Sequence, residues 1–172
     1  MNYGRIIPRD VGNGPGIRVS LFVSGCTNNC PGCFNQEAQD FNYGDEYRDE
    51  TEAEILTYIK EPYVEGLSIL GGDPMCQSKL GKTQLAELCR KVRNDYHKTV
   101  WLWTGYTFDE ILDFSEISPF THDLLSGVDV LVDGPFVESQ KDLTLKWRGS
   151  ANQRIIDVQK SLERGEVVLY EE

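Results

Sequence analysis

Three cysteines, Cys26, Cys30 and Cys33, fall within eight residues in the segment Gly25-Cys26-Thr27-Asn28-Asn29-Cys30-Pro31-Gly32-Cys33-Phe34-Asn35. Spacings of four and three positions, with Pro31 and Gly32 letting the backbone curl, can bring three thiolates toward one centre. Two chemistries suit such a set. Iron–sulfur clusters are held by cysteine thiolates, and three ligands on a four-iron cubane leave one iron open to an exogenous ligand. Structural zinc is closed and four-coordinate, so it would need Cys76, Cys89, His97 or His122 as its fourth ligand. Zinc ribbons and fingers usually supply their ligands as two close pairs. The chain has no second C-x2-C or H-x3-H pair, which favours the cluster. Cys76 and Cys89 stand apart, and five cysteines are an odd number that disulfides alone do not close.

Something must hold this loop, and the flanking pattern says what. Ile17, Val19, Leu21 and Val23 alternate with Arg18, Ser20 and Phe22 as a strand does. Further strands are predicted over 67–70, 99–103 and 128–132, with another over 153–158. Between them lie helical patterns. Thr51 to Glu54 reads as a capping box before Ile55, Leu56 and Ile59; Leu85, Leu88, Cys89 and Val92 recur at helical spacing; Thr107 to Glu110 repeats the capping signature. Alternating strands and helices predict right-handed βαβ units and a mainly parallel sheet with helices on its outer surface. The unusual segments, 25–35, 71–76, 104–106 and 133–136, all follow predicted strands, and that edge carries the site in α/β folds. About five to six strands are too few for a closed eight-stranded barrel of typically about 250 residues, so an open or partial (β/α) barrel is expected.

With 172 residues, 40% of them hydrophobic, the chain suits one domain, 1–172, with a full core. Seventeen Lys and Arg against 28 Asp and Glu leave a net charge of −11, which repels a phosphate backbone; no nucleic-acid partner is expected. No apolar stretch approaches the roughly 20 residues needed to span a bilayer. Met1 to Asp10 lacks an apolar run behind a basic start, so the sequence predicts no signal peptide and a cytoplasmic location.

The pattern Cys26-x3-Cys30-x2-Cys33 behind a first strand resembles the signature of the radical S-adenosylmethionine superfamily. Gly71-Gly72-Asp73-Pro74 resembles that superfamily's Gly-Gly-Glu segment, with Asp73 in place of the commoner Glu. One branch shares the substitution: the small activating components of anaerobic, class III, ribonucleotide reductases. The chain resembles that branch from Asn2 to about Arg154, through Asn13-Gly14-Pro15-Gly16-Ile17-Arg18, Trp101-Leu102-Trp103-Thr104-Gly105-Tyr106, Val132-Asp133-Gly134-Pro135-Phe136 and Trp147-Arg148-Gly149-Ser150-Ala151-Asn152-Gln153-Arg154.

The resemblance implies a single activase domain of radical SAM type, with a 4Fe-4S cluster on Cys26, Cys30 and Cys33 and S-adenosylmethionine on the open iron. It sets Gly32, Cys33 and Phe34 beside that cofactor, and Gly71, Gly72 and Asp73 at its amino-acid end. Asn13, Arg18, Thr104 and Tyr106 would shape a substrate mouth, although a turn and a strand end packed for stability read equally well. Trp147 and Arg148 suit a partner anchor or, equally, a buried Trp beside a paired Arg. The implied reaction is one-electron cleavage of S-adenosylmethionine to methionine and a 5'-deoxyadenosyl radical, which takes hydrogen from a glycine of the reductase's large subunit. No side chain need act as nucleophile or base. The implied partners are that glycyl-radical subunit and an external electron donor such as a flavodoxin, with a homodimer left open. Two alternatives stand beside it: a small-molecule radical enzyme of the deazapurine-synthase kind, and a non-catalytic zinc-binding interaction module. Cys76 departs from the branch's pattern; it reads as a small buried side chain or, if it faces the cluster, as a competitor for the open iron or a redox-sensitive thiol.

Overall fold

The computed structural model describes residues 1–172. In chain order the elements are β1 (Asn2–Asp10), β2 (Ile17–Val23), β3 (Asp45–Glu46), α1 (Asp49–Ile59), β4 (Val64–Gly71), α2 (Lys79–Asn94), β5 (Thr99–Trp103), α3 (Phe108–Ile117), α4 (Pro119–Ser126), β6 (Val130–Asp133), β7 (Arg154–Asp157) and α5 (Val158–Arg164). The strands form one open sheet in the order β3-β1-β2-β4-β5-β6-β7. β2, β4, β5 and β6 are mutually parallel, while β1 and β7 pair antiparallel with their neighbours and β3 antiparallel with β1.

Seven strands exceed the five to six expected from the sequence, and the additions are β1 and β3. The β1 sequence hides its strand because Gly4 and Pro8 interrupt it; register shifts between Tyr3 and Arg5 and between Ile7 and Asp10 mark where the ladder accommodates them. The first helix also starts earlier than the capping signature suggested. Arg48, not Thr51, is its N-cap, and the Thr51 hydroxyl accepts from the Arg48 N–H at 3.2 Å from the third helical position. Asp49, Glu50 and Glu52 then sit in the first turn, where the helix dipole favours negative charge. At α3 the expectation holds: Thr107 accepts from Glu110 N–H at 3.3 Å and the Glu110 carboxylate from Thr107 N–H at 2.8 Å.

Alternation along the parallel strands sorts their side chains into two environments. Val19, Leu21 and Val23, Leu67 and Ile69, Val100 and Leu102, and Leu131 pack with Ile55 and Ile59 of α1, Leu85, Leu88 and Val92 of α2, Ile111 of α3 and Leu124 of α4 in the main core. Trp101, Val130 and Val132 form a separate cluster with Trp103, Trp147, Ile155 and Tyr170. All five helices therefore cover one face, as expected when right-handed crossovers add strands β2, β4, β5 and β6 in one direction. The opposite face carries that smaller aromatic and aliphatic cluster, polar side chains such as Arg18, Ser20 and Ser68, and loops. No helix is long and apolar enough to cross a membrane.

Candidate functional site

Parallel strands share one C-terminal edge, so the segments after β2, β4, β5 and β6 are brought together there. They line a cavity of about 490 Å³ whose walls include Cys26, Cys30, Cys33, Phe34, Gly71, Gly72, Asp73, Thr104, Trp147 and Arg148. Asn13 also reaches it, from the turn before β2. The size is ordinary for a small-molecule site.

Backbone hydrogen bonds tie the first two loops together. Gly72 N–H donates to Val23 O at 2.7 Å, Asp73 N–H to Gly25 O at 2.8 Å, and Gly25 N–H to Ala38 O at 2.7 Å. The close approach permitted by the glycine pair is thus to the chain's own backbone. A Cβ on Gly72 would lie 2.6 Å from Gly25 O and 2.7 Å from Ala38 O. Gly72→Ala is therefore expected to separate the cysteine loop from the second loop, cost about 2–4 kcal/mol of stability by overpacking against backbone, and weaken iron binding. Chemical denaturation and iron content measured on one preparation check it.

Asp73 is the knot between the loops. Its side chain is 1% exposed, and its two oxygens accept from Asn28 Nδ2 at 2.7 Å, Met75 N–H at 2.8 Å, Gly105 N–H at 2.9 Å and the Thr104 hydroxyl at 2.9 and 3.0 Å. Burial, with the Cys76 sulfur beside it, pushes the carboxyl up to about 7 against the pull of those donors. One carboxylate thereby positions residues from the segments after β2, β4 and β5.

All five cysteines are free thiols, with Cys26, Cys30 and Cys33 half-buried. The Asn28 N–H points at Cys26 Sγ (3.5 Å) and the Asn35 N–H at Cys33 Sγ (3.4 Å), donors of the kind that stabilise and tune cluster thiolates. A single Zn²⁺ with Zn–S bonds of about 2.3 Å would draw its thiolates to within about 4 Å of one another. The one group of three metal-ligating side chains whose atoms lie within 4.8 Å is instead Cys26, Asp73 and Cys76. Three thiols spread around one cavity fit a multi-iron cluster better than one ion. Of the other ligands a zinc reading would require, Cys89 is fully buried in α2, and His97 and His122 are exposed.

Three of the residues expected beside the cofactor or at the mouth do not line this cavity. Arg18 is fully buried near the other end of β2, donating to Ser68 Oγ (2.8 Å), Leu67 O (2.8 Å), Thr99 O (3.0 Å) and Thr99 Oγ1 (3.0 Å), with its guanidinium 5.7 Å from the Trp101 ring. Burial pulls it down to about 10, with Asp129 and Glu65 opposing, so it stays charged at neutral pH. Alternation explains the placement: Arg18 shares its face of the sheet with Ser68 and Trp101 rather than the strand-end edge. Gly32 turns the cysteine loop at φ 72° beside Glu138. Tyr106 packs edge-on against Phe114 at 5.3 Å and presents its hydroxyl to Cys76.

Trp147 and Arg148 belong to a loop tied to the chain itself. The Trp103 indole N–H donates to Trp147 O at 2.7 Å, and Trp147 holds a φ of 59°, costly for a residue with a side chain. Gln153 Oε1 accepts from Gly149 N–H at 2.8 Å, and its amide donates to Gly134 O at 3.0 Å, joining this loop to the segment after β6. Sequence reasoning missed Asn28 and Arg5. Asn28 was legible only as part of the cysteine loop, and Arg5, which reaches the cavity with its guanidinium 4.4 Å from the Phe22 ring, lies on the unrecognised β1.

A family profile described as a 4Fe-4S single cluster domain matches residues 12–156. The chain is 44% identical over 158 residues to an anaerobic ribonucleoside-triphosphate reductase-activating protein of Vibrio cholerae, spanning 90% of this chain and 97% of that one. Proteins of the same name show 37% identity over 156 residues in Escherichia coli strain K12 (89% and 96% covered) and 37% over 158 residues in Enterobacteria phage T4 (90% and 93%).

Proposed function

The chain belongs to the family of anaerobic ribonucleoside-triphosphate reductase-activating proteins, and on that premise we propose that it activates such a reductase by radical S-adenosylmethionine chemistry. The observation that carries the reading is one cavity at the C-terminal strand edge lined both by the three spaced thiols and by the Gly71-Gly72-Asp73 turn. Cys26, Cys30 and Cys33 would hold a 4Fe-4S cluster. Bound there, the cluster and S-adenosylmethionine would supply one-electron cleavage of a carbon–sulfur bond and a 5'-deoxyadenosyl radical able to take hydrogen from a glycine of the reductase's large subunit.

The chain's own residues bind, orient and exclude water. Gly71 and Gly72 would border the amino-acid end of the cofactor and Cys33 and Phe34 its flank, with Gly32 acting from behind them as the turn of the cysteine loop. Asp73 serves there as a positioning residue, because its oxygens are already shared among Asn28, Met75, Thr104 and Gly105. Asn13, Thr104, Trp147 and Arg148 form the mouth through which a glycine-bearing loop enters, whereas Arg18 contributes from within the sheet. Exposed Phe34, with Phe136 at 5.0 Å, offers that loop an apolar rim. One domain over 1–172 acts as a partial (β/α) barrel of radical SAM type, a reading supported by helices on one face and strands added in one direction. The reading includes a cytoplasmic location, an external one-electron donor of the flavodoxin kind and, as one assembly, a homodimer.

The test is anaerobic. The protein is reconstituted with iron and sulfide, reduced with dithionite and mixed with S-adenosylmethionine and the large reductase subunit. The expected result is 5'-deoxyadenosine together with a glycyl-radical signal on that subunit. Deoxyadenosine without the protein radical would move the substrate to a small molecule; a colourless, zinc-loaded protein yielding neither would overturn the reading.

A further inference from the structure

Cys76 lies in the one-turn 3-10 helix Pro74–Cys76 behind the Gly-Gly-Asp turn, and neither the cluster site nor the mouth uses it. Its sulfur and that of Cys26 come within 4.8 Å of one another, and both residues are half-buried, within reach of a small oxidant. The surrounding backbone holds them together. Gly25, just before Cys26, accepts from Asp73 N–H at 2.8 Å, and Gln77, just after Cys76, donates through Nε2 to Ser24 O at 3.0 Å. The Thr27 hydroxyl is 3.3 Å from Cys76 Sγ. Closing a disulfide of about 2.05 Å therefore asks for side-chain rotation, without bringing distant backbones together.

We propose that Cys26 and Cys76 form a disulfide when the cluster-free protein meets a small disulfide oxidant such as oxidised glutathione, and that this bond must be reduced before the cluster can load. The exchange is balanced. One thiolate of the pair attacks a glutathione sulfur and expels one glutathione thiolate; the second thiolate attacks the mixed disulfide and expels the other. Two cysteine thiols are oxidised, one glutathione disulfide is reduced, and the two protons end on the two glutathione thiols. Asp73 is not consumed, since its oxygens keep their donors. The first half of the proposal stands on the thiol geometry alone. Its consequence for loading rests on Cys26 being a cluster ligand.

Mass spectrometry of the full, cluster-free chain tests it. The protein is equilibrated with oxidised glutathione, its free thiols are alkylated, and it is digested with trypsin without reduction. Trypsin leaves Cys26, Cys30 and Cys33 on one peptide, 19–48, and Cys76 on another, 61–79. The expected result is a link between these peptides in most chains, lost in Cys26→Ser and Cys76→Ser and retained in the double variant Cys30→Ser/Cys33→Ser. After oxidation, iron loading without reductant should be at least tenfold higher in Cys76→Ser than in wild type. Peptides that stay unlinked, or a link that persists in Cys26→Ser, would overturn the disulfide. Equal loading of oxidised wild type and Cys76→Ser would overturn its gating role. Neither readout uses S-adenosylmethionine, so failure here is distinguishable from failure of the activase reading.

Discussion

Replacing Cys30 by alanine is expected to leave the fold in place while removing stable cluster binding and nearly all 5'-deoxyadenosine formation. The argument is one of number and place. Three thiols line the cavity, and two ligands are too few to retain a four-iron centre against exchange with solvent. Cys30 is half-buried in a loop, so the substitution empties little core and should cost less than about 1 kcal/mol of stability. Deoxyadenosine formation should fall below about one hundredth of wild type, equivalent to at least about 2.7 kcal/mol of lost transition-state stabilisation. Iron and sulfide content, visible absorbance and the thermal midpoint, measured together, separate loss of the site from loss of the fold. Cys89→Ala is the matched control: that thiol lies in the helix-side core, and the variant should keep iron and activity while losing some stability. A Cys30→Ala protein that binds iron and cleaves cofactor like wild type would remove the basis of the proposed mechanism.

Asp73→Ala is expected to destabilise the fold about as strongly as Gly72→Ala, for a different reason. It leaves the buried Met75 N–H and Thr104 hydroxyl without their acceptor, and takes the same acceptor from the part-buried Gly105 N–H and Asn28 amide at the cavity wall. Leaving a buried polar group unpaired costs about 1–3 kcal/mol, offset in part because a buried carboxylate is removed. A net loss of about 3 kcal/mol would lower the Tm of a chain this size by roughly 6–12 °C. Asp73→Asn keeps the shape and one acceptor oxygen but turns an amide donor toward existing donors, so it should lie between alanine and wild type. Thermal denaturation of the three proteins gives the ranking. Equal stability of Asp73→Ala and wild type would show that the carboxylate does not join the loops.

The ranking also bears on how the site was read from sequence. The Gly-Gly-Asp turn reads most simply as a surface offered to a ligand, yet the structure sets Gly71 against the Val23 backbone and Gly72 against Gly25 and Ala38, and uses the acid for contacts across three loops. Sequence reasoning found the residues because their types and strand-end positions are local facts. It could not find their internal partners, since Asn28 and Thr104 lie 45 and 31 positions from Asp73. β1 escaped for the opposite reason: its ladder depends on pairing with β2 and tolerates the Gly4 and Pro8 that erase local alternation.

By itself the sequence determined the thiol spacing, the alternation of strands and helices, and hence the strand edge at which the chemistry must gather, because each depends on residues a few positions apart. Only the tertiary structure decided that Arg18 turns inward to Ser68 and Thr99, that Asp73 closes on three loops, and that Cys76 comes to rest beside Cys26. Those outcomes follow from which strands become neighbours and from the register between them, which bring side chains tens of residues apart into contact.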